Sequence, residues 1–152
     1  MRRLIRPLIK HLLFTPIWLA AAWVSADIVV VTNPENPVAS LSSKEVRKLF
    51  LGRLHLYPGT EHEPLAIDQP QSSDAYREFY DVVIGISQPK LKRYRAYYLF
   101  SGKGKVPYMA ESQEAVIESI QRSTFAIGYL VQPDKALLDK VKVLYRQSTS
   151  QP

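Results

Sequence analysis

The sequence of 152 residues contains no cysteine. A disulfide framework is therefore excluded, and stability has to come from an ordinary hydrophobic core, which a single domain of this length can supply. Histidine is scarce, with three in the chain, and the nucleophile pattern G-x-S-x-G and the phosphate-loop pattern G-x-x-x-x-G-K-[ST] are both absent. The sequence therefore does not predict an enzyme.

The first 26 residues have the pattern of a cleaved export signal. Four basic residues precede an apolar run over 12–24, which ends in the small-residue pattern Val24-Ser25-Ala26. The run is short for a membrane span, which needs roughly 18 apolar residues. An uncleaved N-terminal anchor is the alternative. We expect residues 27–152 to be a mature protein of the bacterial periplasm.

The positive charge is partly a feature of this signal. The whole chain carries a formal charge of +6, but residues 1–26 hold four of its 20 basic residues and none of its 14 acidic ones, which leaves +2. Residues 82–110 contain no acidic residue and mix lysine, arginine and tyrosine. Such a mixture can bind nucleic acid by stacking. Helical spacing favours a plainer explanation, with tyrosines inward and cations on the solvated face, and no nucleic acid is expected as a partner.

Hydrophobic patterns predict an α/β fold. The β-branched run 27–31 is typical of a strand that is buried on both faces, and 64–68, 125–131 and 141–145 are further strands. Helices are predicted after a capping box at Ser42 and Glu45, after the turn at 69–73, from Ser87, and from about Ser112. The second of these helices should end at Gly85 and bury Ala75, Phe79, Val82, Val83 and Ile86.

This element order predicts a small three-layer sandwich. Its sheet should be mixed but mostly parallel, with helices on both faces. Residues 27–146 are assigned to this domain and residues 147–152 to a disordered tail.

A polar turn, residues 68–74, links a predicted strand to a predicted helix. Ser72 and Ser73 lie where free N–H groups and the helix dipole favour an anion. The alternative is that one serine only caps the helix, while Asp74 complements its dipole. Asp68 would repel an anion unless its carboxylate is paired.

Two other polar segments contain side chains that can bind ligands. His55 and His62 share one loop with Glu61 and Glu63, which is more typical of solvated loop residues than of a metal site. No metal and no cofactor is expected. The basic loop at 102–105 could lend Lys103 to a nearby anion.

Four segments, in this order, resemble the periplasmic phosphate-binding proteins of ABC transporters. They are "VVVTNPENPVASLSSKEVRKLFLGR", "PLAIDQPQSSDAYREFY", "YLFSGKGKVP" and "STFAIGYL". The resemblance covers residues 28–144 and implies one lobe of the type 2 periplasmic-binding-protein fold.

The resemblance also implies a ligand and a binding site. The ligand would be a small inorganic oxyanion, phosphate first, and the contacts would be Asp68, Gln71, Ser72, Ser73, Asp74, Arg77 and Lys103. Asp68 falls near the position where the family has an arginine, so Arg77 or Lys103 would supply the positive charge. The expected partners are an ABC transporter permease, a membrane sensor or a second copy of the chain. The alternative function is a single-lobe interaction or sensory module that has lost tight phosphate binding.

Overall fold

The computed structural model describes residues 26–149. Its strands are β1 (Ala26–Thr32), β2 (Leu65–Asp68), β3 (Tyr108–Met109), β4 (Ala126–Val131) and β5 (Lys142–Thr149). Its α-helices are α1 (Ser43–Phe50), α2 (Asp74–Glu78), α3 (Gln88–Ser101), α4 (Gln113–Arg122) and α5 (Lys135–Leu138), and a π-helical segment (Phe79–Ile84) directly continues α2. Within this range no helix has the length and apolar content that crossing a membrane requires.

The five strands form one sheet in the order β3-β2-β4-β1-β5. β2 pairs in parallel with β3 and β4, whereas β1 pairs antiparallel with β4 and β5. Four strands therefore run in one direction and β1 runs against them. The predicted mixed, mostly parallel sheet is confirmed.

The buried run in β1 explains the layers. Ile28 and Val30 pack into a core with α1, the π-helical segment and α3, while Val29 and Val31 pack into a second core with α4 and α5. Successive side chains of a strand point to opposite faces of the sheet, so a run that is apolar at every position needs cover on both sides. The predicted three-layer α/β fold is confirmed.

The helix boundaries follow their capping signals. Ser42 and Glu45 form the predicted capping box at the start of α1. Gly85 ends the π-helical segment with φ of 66° and Gly102 ends α3 with φ of 62°, both in the left-handed region that glycine adopts most readily.

The buried face of the second helix differs from the prediction. Phe79 is buried as predicted, and Val83 and Ile86 are partly buried against the same core. Tyr76, before the π-helical turns, and Tyr80, within them, are buried as well, while Val82 is 40% exposed. The expected spacing assumed a regular α-helix, but the chain widens to π-helical turns from Phe79 onward. This change of period rotates the later side chains away from the positions that α-helical spacing gives.

The C-terminal end of the domain extends further than predicted. β5 continues to Thr149 because Gln147 and Ser148 pair with Ile28 and Asp27 of β1, so residues 147–149 are strand where a tail was expected. Backbone pairing does not require apolar side chains, which is why this polar segment gave no strand signal. The predicted signal peptide, apart from Ala26, lies outside the described residues.

We predict that Gly128→Ala in β4 lowers the free energy of unfolding by about 1–3 kcal/mol, the usual cost of overpacking a core. A Cβ at this position would lie 2.5 Å from Val116 Cγ1 of α4. Urea unfolding measures the effect. Val116→Ala removes the contacted methyl group. The double variant should therefore lose less free energy of unfolding than the two single variants lose together. Strict additivity would show that this contact is not the cause.

Candidate functional site

Asp68, the last residue of β2, is completely buried and hydrogen-bonded on both carboxylate oxygens. The Tyr80 hydroxyl donates to Oδ1 over 2.9 Å, and Arg95 Nη2 donates to Oδ2 over 2.6 Å. An ionised carboxylate in a protein interior needs such partners because burial removes its hydration. The sequence predicted that Asp68 repels an anion unless its carboxylate is paired, and in the structure the carboxylate is paired.

Arg95 reaches Asp68 from α3 and is held by two tyrosines. Its Nη1 donates to the Tyr76 hydroxyl over 2.8 Å, and its Nη2 also donates to the Tyr80 hydroxyl over 2.5 Å. The guanidinium carbon lies 5.0 Å from the centre of the Tyr80 ring, within the range of a cation–π interaction. The side chain is 11% exposed. The expectation that all cations of the basic stretch lie on the solvated face is therefore wrong for Arg95.

Burial dominates the protonation behaviour of this cluster. It raises the pKa of Asp68, an effect that the charge of Arg95 and its hydrogen bond oppose. Burial also raises the pKa of Tyr76 to about 12 and that of Tyr80 well above its ordinary value. Both tyrosines therefore stay protonated at neutral pH, and Tyr80 remains a donor to Asp68.

The turn after β2 uses one of its serines within the fold. Ser73 Oγ accepts from the N–H of Tyr76 over 3.1 Å and donates to the carbonyl of Pro70 over 2.7 Å, so it caps α2. Asp74 forms an ion pair with Arg77, one turn further along the helix. Gln71 and Ser72 are exposed. The capping alternative is thus realised by Ser73, while a ligand contact at this turn stays a prediction.

An open groove of about 730 Å³ lies beside this turn, between α2, α3 and the segment that enters β3. Its polar wall contains the cations Arg77, Lys92 and Arg95 and the amides Gln71 and Gln88. Gln88 Nε2 is buried and has no hydrogen-bond partner among the described residues. No aspartate or glutamate occurs in the part of the groove wall that the structure describes. The described wall of the groove therefore combines cationic side chains with amide side chains.

Four of the predicted site residues differ in their position relative to this groove. Gln71 and Arg77 line the groove, and Asp68 lies beneath it under Arg95. Lys103 follows the end of α3, is exposed, and is not among the residues that line the groove. Sequence reasoning missed Lys92 and Arg95. A buried aspartate at a strand end signals that a cation must pair with it, but it does not say which one.

Two residues of the histidine loop have partners within the fold. His62 stacks on Phe125 with ring centres 4.0 Å apart, and Glu63 forms an ion pair with Lys105. Among residues 26–149, no cluster of three histidine or acidic side chains could hold a metal ion.

We predict that Arg95→Leu lowers the free energy of unfolding by about 3–5 kcal/mol at pH 7, because it leaves a buried carboxylate without its cation. Arg93→Leu is the matched control, since Arg93 is exposed on the same helix. It should change stability by about 0.5 kcal/mol or less. Urea unfolding of both variants checks this, and equal losses would show that the Asp68–Arg95 pair is no more important than a surface arginine.

We predict that the free energy of unfolding of the Asp68→Asn variant increases relative to that of the parent as the pH rises from about 3 to 7. The raised pKa of Asp68 means that the folded protein holds this proton more tightly than the unfolded chain, whose aspartate pKa is about 3.9. The resulting stability is fully present below that value and is lost as the pH rises through the folded pKa. Asparagine cannot ionise and escapes this loss.

Urea unfolding at a series of pH values measures the difference between parent and variant. Asp81→Asn, at an exposed position, controls for the change in net charge. A trend of opposite sign would show that Arg95 outweighs burial and lowers the pKa of Asp68.

Comparison with known proteins identifies the fold. No protein-family model matches the chain, and no curated protein matches its sequence. Similar solved structures include PstS from Borrelia burgdorferi, with 18% identity and a TM-score of 0.62 over 79% of this chain and 47% of that one. An ABC-type phosphate transport receptor from Vibrio cholerae has 17% identity and a TM-score of 0.58, over 79% of this chain and 46% of the receptor.

A third structure, from Clostridium perfringens, is described as a phosphate ABC transporter substrate-binding protein and contains bound phosphate. It has 17% identity and a TM-score of 0.60, over 79% of this chain and 45% of that one. The chain spans less than half the length of each of these structures. It therefore has the fold of part of a phosphate-transport substrate-binding protein.

Proposed function

We propose that this chain is a non-enzymatic binding domain of the periplasm that binds a small oxyanion, with phosphate as the first candidate. The observation that carries the proposal is the groove beside the turn after β2. Arg77, Lys92 and Arg95 line it, and no acidic residue occurs in its described wall. An anion entering this groove meets cations and amide donors without a facing carboxylate.

The Asp68–Arg95 pair supports this proposal by removing the main electrostatic objection to it. A free carboxylate below the groove would repel an anion, but the carboxylate of Asp68 is buried and bonded to Arg95 and Tyr80. Arg95 has a second nitrogen directed to Tyr76, and its side chain still reaches the groove wall. Arg77 and Lys92 supply further positive charge that Asp68 does not offset. Arg77 itself forms an ion pair with Asp74.

The fold supports the same class of function at a coarse level. The similar structures are transport binding proteins, and one of them holds phosphate. At this identity the ligand contacts of those structures do not carry over to individual residues of this chain. The proposed contacts are therefore those predicted from the sequence: Ser72, Ser73, Gln71, Arg77 and Lys103.

Location and partners are further parts of the proposal. The basic, apolar and small-residue order of residues 1–26 supports export. A permease or a membrane sensor would be the partner of an exported binding domain of this fold.

We predict that isothermal titration with phosphate gives a binding heat at micromolar to millimolar ligand. Arg77→Gln should weaken this binding about tenfold or more, the usual loss for a hydrogen bond to a charged group. Arg122→Gln is the matched control because Arg122, like Arg77, is an exposed helical arginine paired with a carboxylate one turn away. Lys92→Gln and Lys90→Gln form a second pair, since both lysines are exposed on α3 but only Lys92 lines the groove.

The serines can be tested without confusing binding with folding. Ser72→Ala removes an exposed hydroxyl, whereas Ser73→Ala also removes the cap of α2 and should cost about 1 kcal/mol of stability. A folded protein that gives no heat with phosphate or sulfate at tenfold higher concentration would refute the proposed function.

A further inference from the structure

The groove has an apolar wall that the binding of an inorganic anion does not explain. Leu91, Leu99, Val106 and Met109 line it, together with the less bulky Pro89 and Ala96. Leu91 is buried at the inner side of α3, whereas Leu99 is 64% exposed. One cavity therefore joins a cationic side and an apolar side.

The size of the groove also favours a ligand larger than an inorganic anion. Its volume of about 730 Å³ lies within the range of sites that take organic small molecules, roughly 300–1,000 Å³. A tetrahedral inorganic anion would fill only a small part of it. The rest of the space borders on side chains that gain nothing from contact with an ion and gain free energy when an apolar group covers them.

The distribution of charge assigns the orientation of a ligand. Arg77 lies on α2 and Lys92 and Arg95 lie in the first two turns of α3, while Leu99 is one turn beyond Arg95 and Met109 is in β3. The cations of α3 thus lie in the helix up to its middle, alongside Pro89 and the buried Leu91, whereas the exposed apolar side chains of the wall, Leu99 and Met109, come later in the chain. A ligand with an anionic head and an apolar body would match both parts at once.

We infer that the groove binds an organic oxyanion, a phosphate or similar oxyanion group that carries an apolar substituent, in preference to the inorganic ion. This inference rests on the proposed function and narrows its ligand class. The oxyanion group contacts Arg77, Lys92 and Arg95, and the apolar substituent covers Leu99 and Met109. The head group can be a phosphate monoester, a sulfate or a carboxylate, because each presents anionic oxygen atoms to the cations.

Isothermal titration of the full chain with phenyl phosphate and with inorganic phosphate tests the inference. Phenyl phosphate should bind about tenfold tighter, at the low end of what a hydrophobic contact contributes to discrimination, because the groove is open. Phenyl sulfate and benzoate determine which head group is preferred. Benzyl alcohol, which has the ring without the charge, should not bind measurably.

The variants Leu99→Ser and Phe100→Ser locate the apolar contact. Both residues are exposed neighbours in α3, Leu99 at 64% and Phe100 at 93%, so neither substitution opens a core, but only Leu99 lines the groove. Leu99→Ser should remove most of the preference for phenyl phosphate and leave the affinity for inorganic phosphate unchanged. Phe100→Ser should leave both affinities unchanged.

The possible failures of the inference and of the proposed function are distinguishable. Equal affinity for phenyl phosphate and inorganic phosphate would overturn the inference and leave the proposed function intact. The same would follow if Leu99→Ser kept the preference, or if Phe100→Ser lost it to the same degree. Absence of binding by every anion would overturn both. Binding of benzyl alcohol as tight as that of phenyl phosphate would show that the anionic group adds nothing to the affinity, which overturns the inference, while the heat with inorganic phosphate still decides the proposed function.

Discussion

The ion pair between Asp68 and Arg95 connects the parts of this molecule that form its groove. It joins the end of β2 to the middle of α3 over 2.6 Å, and it brings the hydroxyls of Tyr76 and Tyr80 into one hydrogen-bonded cluster. A buried charge pair of this kind is costly to break, because either partner alone would remain desolvated. The position of α3 against α2, and hence the width of the groove, depends on this contact.

The same pair determines which charges a ligand would meet. Asp68 is completely buried, so its negative charge acts on the groove mainly through Arg95, whose own positive charge it largely offsets. Arg77 and Lys92 are more exposed, and water and salt weaken their attraction for an anion. The cationic wall is therefore weaker than three positive side chains would suggest, and contacts of another kind become important for affinity.

Much of the fold could be predicted from the sequence because its signals are local. The apolar run of β1 required cover on both faces, and Ser42 with Glu45 and Gly85 marked helix ends through contacts within a few residues. Two features had no local signal. The π-helical turns at Phe79–Ile84 changed the buried face, and Arg95 turned inward to a carboxylate 27 positions away. A pairing between distant residues is decided by packing, so the sequence indicated that Asp68 needed a cation without identifying it.

An open groove places different demands on a ligand than a closed cleft does. In a cleft that excludes water, hydrogen bonds and charges around an anion act in a medium of low dielectric constant and are worth much more than at a surface. The groove here is open to solvent, so an inorganic ion bound to Arg77 and Lys92 would remain partly hydrated and sensitive to salt. Contact between an apolar substituent and Leu99 or Met109 does not depend on the dielectric constant in this way, since it is driven by the removal of apolar surface from water. For a binding surface of this shape, an apolar group attached to the anion compensates for the loss of electrostatic strength that exposure to water imposes.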